Sequence, residues 1–163
     1  SRLESAPASY AVTDVRKAVG NALLAHRIAA QARGLTLSFD ESGIAGRDVL
    51  VLADPTDMAV ALDNLLDNAI TYTEDGGVTV TVATEGSSAR IVVADTGIGI
   101  PAEDLPRIFE RFYRVDRARS RRSGGTGLGL ALVRHVVERS NGTVEVSSTP
   151  GAGSVFTIVM PLA

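Results

Sequence analysis

The sequence predicts an α/β domain, a two-layer sandwich in which a mixed sheet of about five strands is covered on one face by three helices. Stretches with apolar residues at helical spacing alternate along the chain with short runs in which apolar and polar residues alternate. The 163 residues, 45% of them hydrophobic, suffice for one core. We therefore expect one domain at 12–163, preceded by a lead-in at 1–11.

The first helix begins after the small, polar residues 1–11, which have the composition of a frayed end or a linker. Thr13 or Asp14 can cap it, because a short oxygen-bearing side chain accepts a hydrogen bond from the free N–H groups of the first turn. Val15, Val19, Leu23 and Ile28 then recur at helical spacing, and Gly34 ends the pattern.

Two short strands and a second helix follow. Residues 35–39 alternate in polarity, and 49–52 are apolar. The second helix begins at Asp54-Pro55, where proline fits the first turn, and we expect it to end near Tyr72.

The second half of the chain is expected to contain a hairpin, a mobile segment, a helix and two strands. Gly76 and Gly77 mark the turn before the hairpin. The charged residues after Pro101 and the glycines that close the segment predict that about 101–125 is mobile. The predicted elements are the strands 78–83 and 89–94, the helix 128–138, and the strands 143–148 and 155–160.

Composition excludes several classes of protein. The chain has no cysteine, which excludes disulfides and thiolate metal sites, and no apolar run that reaches the ~20 residues of a membrane-spanning helix. Its net charge of -3 does not favour nucleic acid, although seven arginines fall between Arg107 and Arg122. We expect a soluble, monomeric fragment that binds no nucleic acid.

Asn64, Asn68 and Tyr72 form one stripe of the second helix, at positions i, i+4 and i+8. Each amide offers an oxygen to a hard cation and an NH2 group to a phosphate oxygen, without repelling a polyanion. Magnesium with nucleotide phosphates would satisfy both asparagines. Hydrogen bonds to a neighbouring loop would do so equally well, and the helix alone does not separate these interpretations.

Asp95 follows an apolar strand and precedes Thr-Gly-Ile-Gly, so Gly97 and Gly99 allow a sharp turn close to a flat ligand. A carboxylate there accepts from the amino group of adenine, whereas the oxygen of guanine would face a second acceptor. A simple turn aspartate is one alternative. An aspartic protease is another, but the chain has no second Asp-Thr-Gly or Asp-Ser-Gly.

A glycine-rich run at 123–131 leads directly into the third helix, where free backbone N–H groups can bind phosphate. It is not a Walker A loop, because the only lysine is Lys17. A flexible hinge is the alternative. The candidate ligand-binding residues are Gly125, Thr126, Gly127, Leu128 and Gly129.

An aromatic and basic segment precedes this run. Phe109, Phe112 and Tyr113 are spaced to anchor it on the core. Arg111 or Arg114 could then reach a triphosphate. The remaining arginines would be solvated or contact a partner, and a nucleic-acid patch is the competing interpretation.

Together, these motifs resemble the N, G1, F and G2 boxes of the ATP-binding domain of two-component sensor histidine kinases, a branch of the GHKL superfamily. The resemblance runs from about Val12 to Leu162 and includes the closing residues 149–156 and Met160-Pro161. It implies the Bergerat ATP-binding fold, with ATP and Mg2+ as ligands.

By this resemblance, Asn64 and Asn68 contact magnesium and phosphate, and Asn64 is the catalytic position. Tyr72 faces the nucleotide, Asp95 accepts from adenine, and Ser154 lies near that acceptor through water. Many family members have lysine before the tyrosine, where this chain has Thr71. Arg111 or Arg114 is expected to supply the missing charge.

The implied function is transfer of the γ-phosphoryl group of ATP to a histidine on a separate dimerisation domain. A response regulator is the implied protein partner. Superfamily ATPases carry a glutamate base where this chain has Asn64. Neither His26-Arg27 nor His135-Val136 resembles the family's phosphoacceptor. The dimerisation domain, sensor and membrane spans are therefore expected upstream of a cytoplasmic catalytic domain in a bacterial inner-membrane protein. An anti-sigma-factor-like ATP-binding regulator is the alternative.

Overall fold

Seven strands and three helices form over residues 6–115 and 127–163, the part of the chain that the computed structural model describes. Short 3-10 turns lie at Ser42–Ile44 and Leu105–Arg107. In chain order the elements are β1 (Ala11–Asp14), α1 (Val15–Ala32), β2 (Thr36–Asp40), β3 (Leu50–Ala53), α2 (Pro55–Thr71), β4 (Gly77–Glu85), β5 (Ser88–Asp95), α3 (Gly129–Glu138), β6 (Thr143–Thr149) and β7 (Gly153–Pro161).

The main sheet has five strands in the order β2-β4-β5-β7-β6. β2 runs parallel to β4, and the other three pairings are antiparallel. The predicted mixed sheet of about five strands with three helices is thereby confirmed. β5 lies at the centre, so its last residue, Asp95, emerges between β4 and β7.

One face of the sheet carries the core. Every second residue of the central strands is buried, which is the period of a strand with one covered face. These side chains pack against the apolar faces of α1, α2 and α3. The buried strand residues are Val78, Val80, Val82, Ala89, Ile91, Val93, Phe156, Ile158 and Met160.

Aspartates cap the first two helices, as their sequence predicts. The side chain of Asp14 accepts from the backbone N–H of Arg16 at 3.0 Å, and that of Asp54 accepts from Thr56 N–H at 2.8 Å. Pro55 occupies the first turn of α2. In contrast, α3 starts at Gly129 without a side-chain cap among the described residues.

The strand predicted at 49–52 forms as β3, but it lies outside the main sheet. It pairs antiparallel with β1, which the sequence did not predict, in a separate two-stranded sheet. β1 occupies the residues assigned to the end of the lead-in and the start of the first helix.

Residues 6–10 of the lead-in contact the domain. Ser9 N–H donates to Asp54 at 2.8 Å, and Arg139 donates to the carbonyl of Ala6 at 2.7 Å. Arg139 also forms two 2.6 Å bonds to Asp57, whose side chain is 2% exposed. The pair joins the start of α2 to the residue that follows α3.

The described helices include none with the length and apolar character needed to cross a lipid bilayer.

Candidate nucleotide site

A cavity of about 520 Å³ opens between α2, the end of β5 and the start of α3. Its volume falls in the range of small-molecule sites. The predicted site residues that line it are Asn64, Asn68, Tyr72, Asp95, Gly99, Arg114, Gly127, Gly129 and Ser154.

The remaining predicted site residues do not line the cavity, or lie outside the described residues. Gly97, Leu128 and the exposed Arg111 are not among the lining residues. Gly125 and Thr126 fall in 116–126, outside the part of the chain that the structure describes.

At one end of the cavity, which we call the carboxylate end, lie Asp95, Ser148, Ser154 and the turn 97–99. Asp95 accepts from the backbone N–H of Gly97 at 2.8 Å and of Ser154 at 3.2 Å. Both bonds go to Oδ1, so Oδ2 is left to accept from a ligand. Burial raises the pKa of the Asp95 carboxyl above its ordinary value, and the two backbone donors only partly offset this.

The turn after Asp95 requires glycine both because Gly99 has the left-handed φ of a sharp turn, 76°, and because neighbouring backbone leaves no room for a side chain. A Cβ on Gly97 would lie 2.4 Å from the carbonyl oxygen of Tyr72, and one on Gly99 would lie 2.3 Å from that of Thr149. Ile98 N–H also donates to Tyr72 O at 3.1 Å. The space beside Gly97 is thus filled by the end of α2, which fixes the turn against the helix that carries the asparagines.

Ser148 connects three parts of the carboxylate end. Its Oγ accepts from Ile100 N–H at 2.8 Å, lies 2.8 Å from the carbonyl oxygen of Gly153, and lies 2.9 Å from Ser154 Oγ. The sequence did not point to Ser148, because it stands in the polar run Ser-Ser-Thr, where nothing distinguishes it from Ser147. Only its strand register brings it to the site.

At the other end, which we call the amide end, lie Asn64, Asn68 and Gly129. The amide NH2 of Asn64 donates to Val60 O at 2.8 Å, four residues earlier in α2. This bond orients Oδ1 toward α3, where a Cβ on Gly129 would lie 2.8 Å from it. Asn64 therefore presents an oxygen, the atom that a hard cation prefers.

A carboxylate outside the predicted set of site residues, Asp67, also lines the cavity. Asp67 lies beside Asn68, and its largely exposed side chain accepts from Nε2 of the buried His26 at 3.1 Å. His26 Nδ1 bonds Ala22 O at 2.8 Å. This contact ties α1 to the asparagine-bearing part of α2.

The aromatic segment anchors the cavity wall through two of its three rings. Phe109 meets Phe156 edge to face, with ring centroids 6.2 Å apart, and Tyr113 hydrogen-bonds Asp104. Phe112 does not pack as predicted: its side chain is 68% exposed, and its φ of 65° is left-handed. Its N–H donates to Gly127 O at 2.8 Å, so a backbone hydrogen bond, and not packing of the ring, holds this residue.

Residues 53–163 match the family of histidine kinase-, DNA gyrase B- and HSP90-like ATPases. The chain belongs to this family. The family's description is that of ATPases, and a carboxylate facing the cavity at Asp95 agrees with an adenine ligand.

Individual proteins similar to this chain are sensor kinases. The sensor-like histidine kinase SenX3 of Mycobacterium tuberculosis is 43% identical over 99% of this chain, which spans 39% of SenX3. The structure of full-length ShkA in complex with AMPPNP superposes with a TM-score of 0.82 at 31% identity, over 98% of this chain and 32% of that one. The mycobacterial sensor histidine kinase MprB has a TM-score of 0.77 at 26% identity, over 94% of this chain and 98% of that one.

Proposed function

We propose that this domain binds Mg-ATP and donates the γ-phosphoryl group to a histidine on another domain of a two-component sensor histidine kinase. One observation carries the proposal: a single cavity brings together the Asp95 carboxylate, the Asn64 amide oxygen and the glycine-rich start of α3. These groups suit, in turn, an adenine, a metal ion and a phosphate chain.

The carboxylate end would hold the base. Asp95 Oδ2 accepts from the amino group of adenine, while Oδ1 stays bonded to Gly97 and Ser154. Tyr72 lines the wall beside this carboxylate, and the aliphatic side chains of Ile98 and Ile100 supply apolar contact. A base with an oxygen in place of the amino group would leave two acceptors unpaired.

The amide end would hold the metal and the phosphates. The described residues contain no group of three or more His, Cys, Asp or Glu side chains that could bind a metal alone. Magnesium held through one or two protein oxygens and the phosphates of its nucleotide fits this donor set. Asn64 and Asn68 would be those contacts. The ion, when bound, would neutralise charge on the β- and γ-phosphates.

Arg114 lines the cavity and would contact the triphosphate, replacing the lysine that this chain lacks at Thr71.

Transfer to an external histidine needs no base in this domain. A neutral imidazole nitrogen uses its own lone pair to form the new N–P bond, and the bond to the β-phosphate oxygen breaks as ADP departs. Asn64 stands where hydrolysing relatives carry a glutamate, and an amide does not take a proton from water. The chain's role is positioning and charge stabilisation.

The rest of the kinase is part of this proposal. Because the chain spans 39% of SenX3, we infer that a phosphoacceptor domain and a sensor accompany it, that a response regulator receives the phosphoryl group, and that the domain faces the cytoplasm of a membrane-anchored protein. The similarity to named sensor kinases favours this function over an anti-sigma-like regulator.

The full-length protein with radiolabelled γ-phosphate ATP tests the proposal. We expect acid-labile, alkali-stable phosphohistidine in the wild type and none in Asn64→Ala. Gel filtration with a sigma factor is the counter-test. Stoichiometric capture of the sigma factor without phosphohistidine would overturn the kinase function and support an anti-sigma-like regulator.

A further inference from the structure

Three polar residues form a row across neighbouring strands at the carboxylate end. Asp95 of β5 pairs with Ser154 of β7, and Ser154 pairs with Ser148 of β6. Residues directly opposite one another share a face of the sheet, so all three side chains lie on the covered face. Ser154 is 6% exposed and lines the cavity, whereas Ser148 lies one strand further from it.

The partners of Ser148 fix the direction of its hydrogen bonds. A serine hydroxyl has one proton to donate and lone pairs that accept. The carbonyl oxygen of Gly153, 2.8 Å away, can only accept, so Ser148 donates its proton there. The N–H of Ile100 can only donate, so Ser148 accepts from it.

The contact between the two hydroxyls then has one direction. Ser148 has no second proton, so at 2.9 Å the hydroxyl of Ser154 must donate to Ser148. The proton of Ser154 points away from the cavity. Only the lone pairs of the Ser154 oxygen face the cavity, beside the Asp95 carboxylate.

We propose that Ser148 is a positioning residue for base selectivity. It accepts the hydrogen bond of the Ser154 hydroxyl, so that two acceptors, Ser154 Oγ and the Asp95 carboxylate, face the base. This inference rests on the proposed ATP binding. An amino group satisfies these acceptors, whereas an oxygen at the same position of the base is rejected by both. Without Ser148, the Ser154 hydroxyl is free to turn and donate into the cavity.

Titration calorimetry with ATP and inosine triphosphate tests this role, since the inosine base carries an oxygen in place of the amino group. We expect Ser148→Ala to lower the preference for ATP by about three- to tenfold, the range of one hydrogen bond. Ser148→Thr keeps a hydroxyl and should retain the wild-type ratio. The matched control Ser147→Ala, at the exposed neighbour, should retain it as well.

A purely structural role predicts a different result. Ser148 also holds Ile100 N–H, so Ser148→Ala could weaken both nucleotides alike. An unchanged ATP to inosine triphosphate ratio overturns the inference, while ATP binding by the wild type leaves the proposed function intact. If the wild type binds no ATP, both the inference and the proposed function are overturned.

Ser154→Ala keeps the test decisive if Ser148→Ala does not fold, because it leaves the bonds of Ser148 to Ile100 and Gly153 in place. We expect a similar loss of preference in Ser154→Ala and, where Ser148→Ala does fold, no further loss in the double variant. Wild-type selectivity in Ser154→Ala, or additive losses in the double variant, would contradict action through Ser154.

Discussion

At the carboxylate end of the cavity, polar groups from different strands hold one another, whereas at the amide end the side chain of Asn64 is held by the helix that carries it. Asp95, Ser154 and Ser148 are joined across three strands. Within residues 6–115 and 127–163, the side chain of Asn64 hydrogen-bonds only to Val60, one turn earlier in its own helix. The base would therefore meet a preformed surface, while the metal and phosphates meet side chains that reorient without disturbing the sheet.

The largest expected effect follows from adding a methyl group at the carboxylate end. In Gly153→Ala the new Cβ would lie 2.0 Å from the carbonyl oxygen of Asp95, at a φ of 109°. We expect a loss of about 3 kcal/mol or more in unfolding free energy, measured by urea denaturation. Gly151→Ala is the control, with a φ of 82° but nothing within 4 Å. Its expected cost is about 1 kcal/mol. Equal losses would show that the close contact does not matter.

The corresponding change at the amide end should leave the fold intact and remove binding. In Gly129→Ala the Cβ would meet Asn64 Oδ1 at 2.8 Å, the end of a side chain that can turn away. We expect unchanged melting and a loss of Mg-ATP affinity of about tenfold or more, because the metal contact is displaced. Gly20→Ala, in open space on α1, should bind as the wild type does. Wild-type affinity in Gly129→Ala would refute this orientation of Asn64.

The two candidate arginines differ in position, because Arg114 lines the cavity and Arg111 does not. Arg114→Ala should weaken ATP by about tenfold, the scale of one charge-assisted bond, since Arg114 lines the cavity. Arg111→Ala should have a smaller effect in the same calorimetric titration. If both variants bind as the wild type does, no arginine of this pair replaces the lysine absent at Thr71.

A smaller effect is expected in the pH dependence of base selectivity at the carboxylate end. Burial raises the pKa of Asp95, so lowering the pH neutralises it earlier than an ordinary aspartate. A neutral carboxyl loses its preference for the amino group and can donate to an oxygen. The ATP to inosine triphosphate affinity ratio should therefore fall as the pH is lowered, and it should stay flat in Asp95→Asn. The shared triphosphate cancels in this ratio, so a flat wild-type profile would contradict the role of Asp95.

Most of the fold and the residues around the cavity could be predicted, because their chemistry is local in sequence. Asp54 before Pro55 specifies the start of a helix, and the spacing of Asn64 and Asn68 places both on one face. Glycines before a helix indicate where backbone N–H groups are free.

What could not be predicted depends on contacts between distant residues. Nothing in the four residues of β1 reveals that they pair with β3, some forty positions later. Phe112 is exposed, and its backbone N–H donates to Gly127 O, fifteen residues later in the chain. Ser148 reaches the site only through the β6–β7 register.

Titration calorimetry of the wild type and Asp95→Ala with Mg-ATP tests the account most directly, with circular dichroism to show that both are folded. We predict binding by the wild type and a loss of at least about tenfold in Asp95→Ala, since the amino group would lose a charged acceptor. Equal affinities in the two proteins, or no binding heat from folded wild type, would contradict recognition of adenine by this carboxylate.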